Sequence, residues 1–194
     1  LQNNSVGILI ADVSGHGIPA ALLSTMYKIS FMNASRRTSS PVKIFQEVNK
    51  SISSIMTAHD YLTAFIIAIE PGGKFRFSSA AHRPAFLYRK KSKKIEVLST
   101  KGLFIGMLSY AGDTFEEKEG RIDVGDRILL FTDGIIDAFN EKEERWSSDE
   151  LQAVFAKSNG LPLEAALDFI KSEWVKFRGN KKINDDSTLL LVEY

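Results

Sequence analysis

Acidic side chains stand beside apolar runs at three places along the chain, and this recurrence is its clearest chemical feature. Asp12 follows the apolar stretch 6–11, Asp133 follows Ile128-Leu129-Leu130-Phe131-Thr132, and Asp185-Asp186 precede Leu189-Leu190-Leu191-Val192. If those stretches are neighbouring strands, the carboxylates converge at one rim, and like charges that close are tolerated only around a bound cation or a shared proton. A hard cation is the simpler resolution. The chain has no cysteine and 3 histidines, so its ligands are oxygens, which favour magnesium or manganese over zinc or copper. Any single Asp is more simply read as a cap or turn residue serving backbone donors. Three at equivalent strand ends, beside Gly134 and Ser187, favour a metal cluster over coincidence.

Other chemical signals are weaker. Gly15-His16-Gly17-Ile18-Pro19-Ala20 loosely fits a dinucleotide-binding turn, but that site needs a second strand ending in an acid about twenty residues later. Here that stretch holds the end of one helix and the Pro41 start of another, and Asp12 is left unexplained. His16, His59 and His82 are candidate general acids, though a lone histidine is more often structural; only His16 and His82 lie in motif-like turns. The basic run 89–94 reads as a solvated hairpin tip that discourages edge pairing, with no assigned role.

The elements that must position the acids follow from periodicity and punctuation. Residues 6–11 read as a buried strand ended by turn residues, and a helix runs from about Ile18 to Ala34 with Pro19 in its first turn. Apolar residues cover most of that helix's circumference, so it is expected to be buried. Ser40 before Pro41 reads as an N-cap, with Phe45, Val48, Ile52 and Ile55 at helical spacing to about Met56. Stretches 62–70, 75–80, 85–89 and 95–98 read as an antiparallel meander broken by Pro71-Gly72-Gly73 and by 90–94. Two more strands, 114–122 and 127–132, are joined through a tight turn at 123–126. A short helix over 148–157, a longer one whose face is Leu163, Ala166, Leu167, Ile170, Trp174 and Phe177, and a strand over 187–194 complete the chain. Strands in series with helices toward both ends of the order argue for an α+β domain with a largely antiparallel sheet.

Composition bounds the function. At 194 residues, 44% hydrophobic and 25% charged, the chain can bury a real core. Lys and Arg number 25 against 24 Asp and Glu, too balanced for binding that relies on a broad basic field, so nucleic acid is not expected as a partner. Lack of cysteine excludes a disulfide scaffold, a thiolate nucleophile and Cys-built metal sites. No apolar run approaches the roughly 18 residues of a spanning helix, and no signal pattern opens the chain; membrane insertion is not expected and a cytoplasmic location is. The first residue is Leu1, and 1–194 is read as a single domain cut from something longer.

The block Asp12-Val13-Ser14-Gly15-His16-Gly17-Ile18-Pro19-Ala20-Ala21 resembles the signature of the SpoIIE-like bacterial branch of the metal-dependent protein phosphatases (PPM). Ala80-Ala81-His82-Arg83-Pro84, Gly102-Leu103-Phe104-Ile105-Gly106, Phe131-Thr132-Asp133-Gly134 and Asp185-Asp186-Ser187-Thr188 follow in the family's order. The resemblance implies an αββα sandwich of two largely antiparallel sheets flanked by helices, and hydrolysis of phosphoserine or phosphothreonine at a two-metal site. By matching motif, Asp12 would bridge two Mn²⁺ or Mg²⁺ ions, Asp133 and Asp185 would complete one, with Asp186 beside them, and the Val13 carbonyl would serve the other. Gly15, His16, Gly17 and Gly134 would form the close turns. The paired ions would activate a bridging water and neutralise phosphoryl charge without a covalent phosphoenzyme. Family members carry a further acidic ligand on a strand preceding that of Asp12, which this chain lacks. Ala81 stands where glycine is usual, and Phe104-Ile105 where Pro-Leu is commoner. The implied function is the phosphatase output of a bacterial signalling protein acting on a phosphorylated anti-anti-sigma (STAS) type regulator. The alternative is a catalytically impaired relative that binds a phosphoprotein or forms a homodimer.

Overall fold

Proline and serine chemistry sets the first two helices in a computed structural model that describes residues 1–56, 60–182 and 185–194. Pro19 lies in the first turn of α1 (Gly17–Ser35). Pro41 opens α2 (Pro41–Ile52), whose N-cap Ser40 accepts a hydrogen bond from the Lys43 amide. Both helices belong to the first of two units, residues 1–84 with 99–122. This unit contains the strands β1 (Val6–Val13), β2 (Leu62–Ile69), β3 (Lys74–Ala80) and β6 (Lys118–Arg121), which form an antiparallel sheet in the order β1-β2-β3-β6. Alternation along β2 sends Leu62, Ala64 and Ile66 into a core with Tyr27, Phe31, Ile44, Phe45 and Val48 of the helices. Residues 63, 65, 67 and 69 therefore face the other way.

The second unit, residues 85–98 with 123–194, holds β4 (Ala85–Arg89), β5 (Lys94–Leu98), β7 (Arg127–Phe131) and β8 (Leu189–Glu193) in the antiparallel order β5-β4-β7-β8. Its helices are α3 (Asp133–Ile136), α4 (Ser148–Ser158) and α5 (Leu163–Arg178). A reciprocal capping box between Ser147 and Glu150 starts α4. Ala166, Ile170 and Trp174 of α5 pack with Leu151 and Phe155 of α4 and with Phe86, Leu129 and Phe131 of the sheet, each large side chain contributing on the order of 1.5–3 kcal/mol by burial. The chain is thus α+β, with two antiparallel four-stranded sheets each carrying helices.

Five expectations are corrected. The strands 62–98 do not form one meander: β2 and β3 are a hairpin in one sheet, β4 and β5 a hairpin in the other. Stretches 114–122 and 127–132 are not paired through 123–126 either, because β6 joins β3 while β7 lies between β4 and β8. The 114–122 strand shortens to 118–121 because residues 109–114 coil into a 3₁₀ turn. Helix α1 is not buried all round: Tyr27, Phe31 and Ala34 are, but Ile18 is 78% and Leu22 63% exposed. Nor is β1 a buried strand, since it lies at its sheet's edge with only Ile10 fully covered. The basic run does form a hairpin turn, at Lys90–Lys93 between β4 and β5, although Arg89 is tied to Glu96 and to buried Asp126.

Candidate active site

In the first unit, Asp12 and Val13 end β1, so Asp12 lies within the strand rather than after it. Its partner in the ladder is Thr63. The turn that follows is anchored by Ser14, whose amide donates to the Tyr61 carbonyl at 2.9 Å and whose Oγ accepts from the Tyr61 amide at 2.9 Å. Gly15 and Gly17 have φ of +87° and +73°, so the reversal into α1 uses backbone that glycine adopts without strain. His16 is the exposed N-cap residue of α1 and its side chain makes no capping bond. His82 is half-buried, and its Nδ1 lies 2.8 Å from Thr63 Oγ1. His59 lies outside the described residues.

In the second unit, Asp133 opens the four-residue helix α3 directly after β7, and the carbonyl of Ile135 accepts from Trp174 Nε1 at 2.9 Å while that of Ile136 accepts from Arg145 Nε at 2.9 Å. The end of β7 and the approach to β8 are stitched together. The Thr132 amide donates to the Thr188 carbonyl at 3.2 Å, the Thr188 amide donates to Thr132 Oγ1 at 2.9 Å, and Thr132 Oγ1 donates to the Asp186 carbonyl at 3.2 Å. Gly134 is packed so closely that a Cβ there would fall 2.3 Å from the Asp186 carbonyl oxygen. Asp133, Gly134, Asp185 and Asp186 are thereby gathered at one end of this sheet. Asp185 is exposed and its Oδ1 accepts from the Asp186 amide at 2.8 Å.

These residues fit a hard divalent cation. Asp133 Oδ1 is buried without a hydrogen-bond partner among the described residues, an arrangement that costs free energy unless a cation or donor completes it. Asp185 presents a carboxylate at the same sheet end, and oxygen donors suit Mg²⁺ or Mn²⁺. Among the described residues, no group of three or more His, Asp or Glu side chains already stands clustered as a cation cage. Two features went unread in the sequence. One is Thr63, whose place depends on strand register. The other is the basic trio Arg178, Lys181 and Lys182, which shares a small cleft with Gly134 and Asp185; an arginine in the last turn of a helix and lysines just past it look like ordinary dipole partners.

The chain matches the family described as Stage II sporulation protein E (SpoIIE) over residues 2–194. It belongs to that family, the SpoIIE-like branch of the metal-dependent protein phosphatases. RsbU of Bacillus subtilis (strain 168), named a phosphoserine phosphatase, is 31% identical over 141 residues, which are 72% of this chain and 42% of RsbU. The chain spans less than half the length of that relative. Among solved structures, the SiaA-PP2C domain of Pseudomonas aeruginosa superposes with a TM-score of 0.86 at 19% identity, covering 100% of this chain and 77% of that one. RsbX in complex with magnesium gives 0.69 at 16%, covering 98% and 82%. At these identities the structural likeness is one of fold. No helix among the described residues is long and apolar enough to cross a membrane.

Proposed function

We propose that residues 1–194 act as one working domain, a metal-dependent phosphoserine/phosphothreonine protein phosphatase in the cytoplasm. Its substrate is a phosphorylated anti-anti-sigma (STAS) type regulator, and it serves as the output of a bacterial signalling protein. The observation that carries this reading is the buried Asp133 Oδ1, without a hydrogen-bond partner among the described residues, beside the Asp185-Asp186 turn, at positions matching the family's motifs. In the first unit Asp12 and the Val13 carbonyl, and in the second Asp133, Asp185 and Asp186, are the proposed oxygen ligands for Mn²⁺ or Mg²⁺. When bound, such ions activate water and offset charge on a phosphoryl group. The chain's own part is to present carboxylates at or beside strand ends. The turns at Gly15, His16 and Gly17 bring backbone close to Asp12, that at Gly134 lies against the Asp186 carbonyl, and Arg178 and Lys182, beside a Lys181 that is paired with Glu143, offer positive charge near Asp185 to a phosphoryl dianion.

A second reading, a phosphoprotein-binding or homodimerising module without turnover, is favoured by one observation: no preformed cage of three acids or histidines among the described residues. Mn²⁺-dependent hydrolysis of an aryl phosphate separates the two. The phosphatase reading expects Asp133→Asn to lower kcat by about 100-fold or more, as for loss of a ligand to a catalytic ion. Equal rates for the wild type and Asp133→Asn would leave the binding module standing.

A further inference from the structure

The β1–β2 register sets Asp12 directly opposite Thr63. Leu62, Ala64 and Ile66 point to the helices, so Thr63 and Asp12 share the opposite face of the sheet, where directly paired Cβ atoms lie about 4.5–5.5 Å apart. A threonine hydroxyl at that separation reaches a neighbouring aspartate carboxylate. Thr63 Oγ1 is in turn 2.8 Å from His82 Nδ1.

The segment carrying His82 is built to reach back to β2. Ala81 bridges to Ala64 of β2, its amide donates to the Gly102 carbonyl at 3.0 Å, and Ser79 Oγ donates to the His82 carbonyl at 3.1 Å. Ala81 holds φ of +52° to make this turn, a left-handed conformation that is unfavourable for a residue with a Cβ and is found where the surroundings enforce it. The imidazole so delivered is half-buried, with its Nε2 out of solvent.

We propose that His82 and Thr63 are positioning residues for Asp12. With its proton on Nδ1, His82 donates to Thr63 Oγ1, and the threonine's own proton is then directed at the Asp12 carboxylate. The other tautomer would use the hydroxyl proton on the ring and leave Asp12 without it. A relay of this kind fixes the orientation of a ligand carboxylate in the way outer-shell partners do at metal sites. The proposal rests on the reading of Asp12 as a cation ligand.

The test is calorimetric titration of Mn²⁺ into the intact chain and into Asp12→Asn, Thr63→Val, Thr63→Ser, His82→Ala and His82→Asn, with thermal melts of each without metal. The expectation is that Thr63→Val and His82→Ala bind Mn²⁺ roughly 10- to 100-fold more weakly. Thr63→Ser, which keeps the hydroxyl, should stay within about threefold of the wild type. Thr63→Val is isosteric, so it keeps the test decisive if His82→Ala does not fold. Should Asp12→Asn weaken binding while Thr63→Val stays within twofold of the wild type, the relay is overturned and Asp12 remains a ligand. Should the wild type and Asp12→Asn bind equally, or neither bind, the reading of Asp12 fails and the relay with it.

Discussion

Ala81 and Gly134 show opposite uses of a missing or present Cβ. At Ala81 the left-handed φ of +52° penalises the methyl group, so Ala81→Gly should raise stability by about 1 kcal/mol after allowing for the freer unfolded chain. Calorimetry should show a melting temperature higher by roughly 2–4 °C. The reverse holds at Gly134. A methyl there meets the Asp186 carbonyl at 2.3 Å, and backbone has to give way. Gly134→Ala should therefore shift the Asp185-Asp186 turn and weaken Mn²⁺ binding about tenfold or more by titration, while circular dichroism remains unchanged. The acids themselves were legible from their placement beside apolar runs. Thr63 was not, because a threonine entering an apolar strand gains meaning only when the register names the residue across from it.

Segments are tied together by buried polar groups that no periodicity reveals. Asn49 of α2 is 1% exposed, and its side chain donates to the Leu108 and Ser109 carbonyls at 3.0 and 3.1 Å and accepts from the Gly106 amide at 2.9 Å. Asn49→Leu would leave the Gly106 amide without its acceptor and remove the two bonds to the 108–109 carbonyls, the first of which keeps the Ala111 amide at 3.1 Å, and should cost about 1–3 kcal/mol, read as a lower urea midpoint. From α1, Tyr27 donates to the Ile105 carbonyl at 3.1 Å. Burial, and secondarily the charge of Asp60, push its phenol above the ordinary value. The fold therefore favours the neutral phenol: its contribution is complete below about pH 10 and declines as pH rises beyond that, where the unfolded chain ionises first. Tyr27→Phe should lower stability at pH 7 by about 1 kcal/mol yet flatten the alkaline loss in denaturation profiles between pH 9 and roughly 11. Helix starts at Pro19, Ser40 and Pro41 were readable because capping is local chemistry. Helix α3 was not, since four residues carry no period.

Across the whole chain, the change of sheet between β3 and β4 is what the sequence hid. Pro71-Gly72-Gly73 and the 90–94 turn announce hairpins, and both exist, but residues 81–84 carry no signal that the next strand joins different neighbours. Strand types were legible; strand partners were decided by long-range packing. The near-neutral formal charge of +1 gives the molecule little general attraction for ions of either sign, so the proposed Mn²⁺ affinity has to be local, from carboxylates and backbone oxygens. Saturating Mn²⁺ at about 100 times its Kd should add roughly 2.7 kcal/mol of stability, or some 5–11 °C in melting temperature. Asp133→Asn should remove most of that shift.

β1 sits outermost in its sheet and is mostly uncovered, so one flank of eight residues shows hydrogen-bonding backbone with no neighbour among the described residues. Such a flank templates further strands. Concentrated solutions of residues 1–194 should scatter increasing light on standing, and Leu9→Lys, which adds a charge to that strand, should keep them clear.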